Sequence, residues 1–146
     1  MEDERSMMIK SLNKVFVPEL RKLNFKGSML HFRRTEGEIT NLITFQFDRD
    51  GGGFVIELVN WRGSEFKDSA GNTIPLNKLT AHHINKRQRI YPNSILEKNG
   101  KQSWFRFDKN SIFDFRNKFD RVAKKVRSRL PIMEEYWNNE CKCQSQ

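Results

Sequence analysis

The fold is decided by residues 39–61, which read ITNLITFQFDRDGGGFVIELVNW. The first part places Ile43 and Phe45 on one side of a strand over 39–48, and the second part alternates in the same way over 54–61. Side-chain alternation with a period of two is typical of β-strands. Because glycines fill the short connection between the two parts, we predict an antiparallel hairpin.

The segments before this hairpin add a helix and a strand. Residues near 5 to 24 carry apolar side chains at three- and four-residue spacing, which is typical of an amphipathic helix. Pro18 removes a backbone donor, so we expect the helix to kink or restart near Val17. A further strand is predicted from Ser28 to Arg34, with a short turn leading into residue 39.

The segments after the hairpin are less regular. Residues 62–80 show no periodic pattern, and such a stretch is either a binding loop or a peripheral excursion packed by its few apolar residues. The remaining predicted elements are strands near Ala81–Ile90 and Ser103–Asp108, a long helix that opens with a capping box at Ser111 and ends at Pro131, and a short helix over Ile132–Asn139.

This order of elements predicts an α+β fold. We expect a four- to five-stranded antiparallel sheet with the N-terminal and C-terminal helices packed on one face. A chain of 146 residues with 36% apolar residues and 12 Phe is enough for one core. We therefore assign residues 1–139 to a single domain and residues 140–146 to a flexible polar tail.

Several features predict a cytoplasmic protein. No apolar run approaches the roughly 20 residues that a membrane span needs, and the acidic N-terminus has no pattern of a targeting peptide. The two cysteines, Cys141 and Cys143, stand one residue apart in the polar tail and are typical of a reducing compartment. The oligomeric state is left open by the sequence.

The net charge of +9 is concentrated in the second half of the chain. Between residues 78 and 130, fifteen Lys and Arg stand against four Asp and Glu. A concentrated basic region is expected of a protein that meets nucleic acid, an anionic membrane surface or an acidic protein. The alternative is that the charge serves solubility only.

Candidate anion-binding residues come from three places. On the long helix, basic residues lie opposite the apolar stripe, which indicates either a phosphate-contacting face or an ordinary solvated face. On the strands, aromatic and basic residues alternate, as in sheets that bind single-stranded nucleic acid by stacking and charge neutralisation. Arg33 and Arg34, with Gln46, Arg87 and Arg89, are predicted to form a cationic row across neighbouring strands. The candidates are Arg33, Arg34, Lys86, Arg87, Arg89, Trp104, Arg106, Lys118, Arg121, Lys124 and Lys125.

No catalytic or metal-binding motif accompanies these residues. His82 and His83 are adjacent in a predicted strand and would point to opposite faces, so they do not chelate one ion together. Gly51–Gly53 precedes a strand and not a helix, which indicates a turn and not a phosphate-binding loop. Glu57 is expected to be an outward residue of a half-exposed strand. We therefore assign no catalytic residue and expect no cofactor or metal.

Three classes of function remain. The leading hypothesis is a non-enzymatic binding module for an anionic macromolecule, either nucleic acid or an acidic protein. The second is an immunity-type inhibitor that binds a partner protein through the uncovered sheet face or the 62–80 loop. The third is an enzyme that acts on an anionic small molecule, with the arginine row as an anion clamp and a histidine as base.

Several short segments of the chain form a recognisable set. They are Pro18, Leu20 and Leu23 running into Phe25-Lys26-Gly27, then Phe32-Arg33-Arg34, Ile43, Phe45-Gln46-Phe47, His82 and Arg87-x-Arg89-Ile90. In these segments the chain resembles a family of uncharacterised bacterial proteins, the domain-of-unknown-function family numbered 4304. The resemblance covers about the first two thirds of the chain, and Asn24 stands where the family usually has glycine. It implies a shared α+β domain, and it implies no activity and no functional residues.

Overall fold

A computed structural model describes residues 3–92, 104–108 and 117–144. For residues 140–144 it describes the backbone only. The helices in these ranges are α1 (Glu4–Val15), α2 (Val17–Lys22), α3 (Lys118–Ser128) and α4 (Leu130–Gln144). None of them combines the length and the apolar character that crossing a membrane would require.

The N-terminal helix restarts at the predicted place. Pro18 lies in the first turn of α2, where a helix has no hydrogen-bond acceptor for the missing N–H. Asn24 follows α2 with a φ of 71°, the left-handed conformation that often ends a helix. The kink near Val17 is therefore confirmed.

The main sheet is antiparallel throughout. In the described ranges its strands are β1 (Lys26–Ser28), β2 (His31–Glu36), β3 (Ile39–Phe47), β4 (Gly53–Arg62), β7 (Gln88–Ile90) and β8 (Phe105–Arg106). The order is β1-β2-β3-β4-β7, and β8 pairs with β4 next to β7. The predicted hairpin, now β3 and β4, and the antiparallel sheet are confirmed, and the short β1 is an additional edge strand.

The helices cover one face of this sheet. In register, Phe32 of β2 lies opposite Ile43 of β3, which lies opposite Leu58 of β4. All three are buried, and they share one core cluster with residues of all four helices, Trp137 of α4 among them. The α+β class with the helices on one face is confirmed.

The opposite face is partly covered by the stretch that showed no pattern. A small hairpin of β5 (Glu65–Lys67) and β6 (Thr73–Pro75) precedes a 3₁₀ turn over Leu76–Lys78. Phe66, Ile74 and Leu76 from this segment pack over Leu42 and Val59 of the sheet. The 62–80 stretch is therefore an apolar-packed excursion.

The strand predicted at Ala81–Ile90 is wrong in its first part. Ala81–His83 forms a 3₁₀ turn, and only Gln88–Ile90 is a strand. The physical reason is packing, because Ala81 and Ile84 both insert into the cluster on the second sheet face. A three-residue spacing of apolar side chains suits a turn of 3₁₀ helix and not a strand.

At the C-terminal end, α4 is longer than predicted. It begins at Leu130 with Pro131 in its first turn, and its backbone continues through residue 144, beyond the predicted Ile132–Asn139. The predicted start of the long helix at Ser111 lies outside the described residues. The indole Nε1 of Trp137 donates to the Leu42 carbonyl at 3.3 Å, which fastens α4 to the middle of the sheet.

Candidate anion-binding face of the sheet

A row of polar residues crosses the sheet on the face away from the helices. Its members are direct register partners, and paired positions of an antiparallel sheet present their side chains on one face. From β2 to β7 they are His31, Thr44, Glu57 and Arg89. The row is polar in the middle of a sheet whose other positions are largely apolar, so each member requires a partner.

Glu57 is the centre of the row, and it is buried. Its side chain is only 7% exposed, and Oε2 lies 3.2 Å from Nε of Arg87 and 3.9 Å from Nη2 of Arg89. The expectation that Glu57 points outward from a half-exposed strand is wrong. A signal was present, because residues 54–59 are apolar on both sides of Glu57, which is typical of a strand covered on both faces.

Arg87 and Arg89 stand over this carboxylate at the surface. Their side chains are 32% and 38% exposed, and Nη1 of Arg87 also donates to the Ala81 carbonyl at 3.5 Å. The guanidinium carbon of Arg89 is 5.9 Å from the centroid of the Trp104 ring, which is within cation–π range. We call Arg87, Arg89 and Trp104, with Glu57 beneath them, the arginine face.

His31 closes the other end of the row. The Thr44 hydroxyl accepts from the Ala81 N–H at 3.2 Å and is also hydrogen-bonded to Nδ1 of His31, 3.0 Å away. Burial, and then the nearby charges of His82, Arg33 and His83, lower the pKa of His31. Thr44 is fully buried, so its hydroxyl holds His31 in place and is not presented to a substrate.

The two histidines that follow Ala81 lie in a 3₁₀ turn and not in a strand. The His82 ring meets the His31 ring edge-on with centroids 5.6 Å apart. The Nδ1 atom of His83 accepts from the Thr80 N–H at 3.0 Å and so caps its own turn. Within the ranges that the structure describes, no three His, Cys, Asp or Glu side chains are grouped so as to hold a metal ion.

The predicted cationic row is wrong for Arg34. Neighbouring residues of a strand point to opposite faces, and Arg34 lies on the helix side while Arg33 lies on the other. The Arg34 side chain is 11% exposed and pairs with Glu134 at 2.8 Å. Its guanidinium also bonds the Asn41 side chain and the Leu23 carbonyl, so it joins α4 to the sheet.

The basic residues of α3 form a separate surface. Arg121, Lys124 and Lys125 are exposed, but α3 packs on the helix side of the sheet, away from Arg87 and Arg89. The prediction that Lys118 belongs to the exposed face is wrong. Its side chain is 4% exposed because its amino group pairs with Glu4 of α1 at 3.0 Å. Such a contact between distant parts of the chain leaves no periodic signal in the sequence.

Arg106 and Lys86 are the remaining candidates. Arg106 is the register partner of Gly53, and its Nη2 pairs with Asp108 at 2.6 Å. It therefore lies at the β3–β4 turn, beside Asp48 and Gly52, and not with Arg89, whose register partner is Glu57. Lys86 is exposed just before β7. The structure therefore brings together Arg87, Arg89 and Trp104, and it leaves Arg106 outside this group.

Comparison with known proteins gives a family and no function. No curated protein and no solved structure matches the chain significantly. The family model described as "Domain of unknown function (DUF4304)" matches residues 16–135, from the end of α1 into α4, and so includes the whole sheet. On that match, the chain belongs to the DUF4304 family.

Proposed function

We propose that the protein is a binding module for an anionic macromolecule, which it binds through the arginine face. One observation supports this most directly: two arginines, each about one third exposed, are held side by side by a single buried carboxylate. A guanidinium has five N–H donors, and Glu57 engages only part of each set. The exposed donors face solvent already oriented, which lowers the entropic cost of binding an anion.

Nucleic acid in single-stranded form is the partner that suits this surface best. The Trp104 ring beside Arg89 supplies a stacking surface next to a cation, and the two together match a base and its phosphate. The net charge of +9 adds a long-range attraction to any polyanion.

The immunity-type alternative is less well supported by the packing. The apolar residues of the 62–80 stretch, Phe66, Ile74 and Leu76, lie against the second core cluster. They are thereby largely withdrawn from the surface that a partner protein would use. An acidic protein bound by the arginine face itself is an outcome that the experiment below separates.

The test is fluorescence-polarisation binding of labelled single-stranded and double-stranded oligonucleotides across a salt series. We expect binding in roughly the micromolar range, tighter for the single strand, that weakens linearly in log Kd against log salt. Arg87→Gln/Arg89→Gln should raise Kd by at least about tenfold at fixed salt. The matched control, Lys124→Gln/Lys125→Gln, removes the same charge from the helix side and should raise Kd by no more than about threefold.

Two further measurements separate stacking from electrostatics and loss of binding from loss of folding. Trp104→Leu leaves the net charge unchanged, so a loss of single-strand preference in this variant reports stacking and not electrostatics. Circular dichroism of each variant confirms that it is folded. Equal weakening of oligonucleotide binding by both double substitutions, or no binding at low salt, would refute the proposal. If polyglutamate competes for the arginine face more strongly than an unlabelled oligonucleotide does, the partner is an acidic protein.

A further inference from the structure

A cavity of about 580 Å³ lies at the edge of the sheet, apart from the arginine face. It forms beside Lys26, the first residue of β1, which pairs with Arg33, whereas β2 runs on past this pair to Glu36. The 3₁₀ turn that carries Leu76 and Asn77 makes the opposite wall. We call it the edge cavity, and its volume is in the usual range for small-molecule sites.

Among the residues that the structure describes, Arg33 at the wall of the edge cavity has no carboxylate within ion-pair distance. Its Nε and Nη2 both donate to the Leu79 carbonyl, at 3.3 and 3.1 Å, which fixes the guanidinium, and no described residue bonds to Nη1. Burial lowers the pKa of Arg33. By contrast, the neighbouring Arg34 is neutralised by Glu134 at 2.8 Å. Arg33 therefore presents a fixed positive charge with which an anion in the cavity could pair.

Lys26 adds a second cation on the same face. It is the direct register partner of Arg33, and side chains at such positions approach each other closely. Like charges placed directly opposite are unfavourable. Within the part of the chain that the structure describes, no carboxylate lies within ion-pair distance of either residue. A ligand anion between the two side chains would remove this repulsion.

We propose that the edge cavity binds a small organic anion, with its phosphate or carboxylate group held between Lys26 and Arg33. Asn24, Thr35 and Asn77 line the cavity, and their neutral side chains could offer hydrogen-bonding groups to the rest of the ligand. Glu36 is the one carboxylate among the described residues of the lining, and it disfavours ligands with a negative charge at that end. Leu76 offers a small apolar contact.

The test is isothermal titration calorimetry with three probes: inorganic phosphate, adenosine monophosphate and citrate. Comparing inorganic phosphate with adenosine monophosphate shows whether the site requires an organic group attached to the phosphate. Citrate tests whether the site binds carboxylates. We expect saturable binding below about 1 mM for at least one organic probe. Arg33→Gln and Lys26→Gln should each weaken it by at least about tenfold, the effect of losing one charge-assisted hydrogen bond.

The control is Lys67→Gln, which removes one exposed positive charge on the β5–β6 hairpin and should change Kd by less than about twofold. Lys26 is exposed, so its variant tests the site even if Arg33→Gln unfolds. Absence of saturable binding by every probe up to about 10 mM, or equal weakening by Lys67→Gln, overturns the proposal. Arg87→Gln/Arg89→Gln should leave this binding unchanged, which separates the edge cavity from the proposed function.

Discussion

The three charges at the centre of the arginine face predict an asymmetric response to mutation. Arg87→Ala leaves the Glu57 carboxylate, 7% exposed, with Arg89 at 3.9 Å as its remaining ionic partner among the residues that the structure describes. Removing one partner of a buried pair costs about 3–5 kcal/mol. Because Arg87 is 32% exposed and water can partly replace it, we expect about 2–3 kcal/mol.

The reverse change should be milder. Glu57→Gln keeps the shape of the side chain and leaves two arginines that water already reaches, so we expect a loss of about 1 kcal/mol. The double variant Glu57→Gln/Arg87→Ala no longer contains a buried unpaired charge. We expect it to lose about 1–2 kcal/mol, which is less than the sum of the two single losses.

Urea denaturation followed by far-ultraviolet circular dichroism measures all three free energies of unfolding. Arg62→Ala is the control, because its pair with Glu38, at 3.4 Å, is at the surface and should contribute no more than about 0.5 kcal/mol. If Glu57→Gln costs as much as Arg87→Ala, or if the double variant loses the full sum, then Glu57 is not a desolvated carboxylate that depends on Arg87.

Further predictions concern the backbone, the core and pH. At Gly27, φ is 118° and a Cβ would overlap the His31 carbonyl oxygen, so Gly27→Ala should lose more than about 2 kcal/mol of unfolding free energy in urea denaturation. Gly71→Ala, at φ 86° in open space, should lose only about 1 kcal/mol. Asn60→Leu removes the bond from Nδ2 to the Trp137 carbonyl at 3.1 Å and the bond that Oδ1 accepts from Nδ2 of Asn41, and should cost about 1–3 kcal/mol in the same assay. A loss below about 0.5 kcal/mol would contradict the role of these two bonds. The lowered pKa of His31 means that the folded protein binds its proton less readily than the unfolded chain does. The free energy of unfolding should therefore decrease as the pH falls below about 6.5. Urea denaturation at about pH 7.5 and at about pH 5.5 measures this decrease, which should be smaller for His31→Gln than for the unmutated protein.

The sequence predicts the parts of this fold that local pattern controls. The alternation over residues 39–61 yields the β3–β4 hairpin, and Pro18 marks the break between α1 and α2. The strand predicted over Ala81–Ile90 was wrong in its first part, because tertiary packing of Ala81 outweighs any local preference. Pattern reports which residues are apolar, but it does not report which of two apolar clusters they will join.

The candidate site shows the same division. Side chains alternate between the two faces along a strand, and this alternation alone places Arg33 and Arg34 on opposite faces. The predicted cationic row did not take it into account. By contrast, the convergence of Arg87 and Arg89 on Glu57 depends on how β7 pairs with β4, about thirty positions away in the chain. The burial of Lys118 depends on Glu4 in the same way. Register between distant segments is not encoded in any local spacing.

The attachment of α4 to the sheet has a consequence for synthesis on the ribosome. Trp137 closes the core through a bond to Leu42, and 95 residues separate the two. At about 5–20 residues per second, translation of that interval takes roughly 5–20 s. During this time the phenylalanines of β2–β4 have already been made but lack their final cover. An early-formed, unprotected β-meander is a target for chaperones and for aggregation, so the yield of folded protein should depend on chaperone supply while the C-terminal helix is still being made.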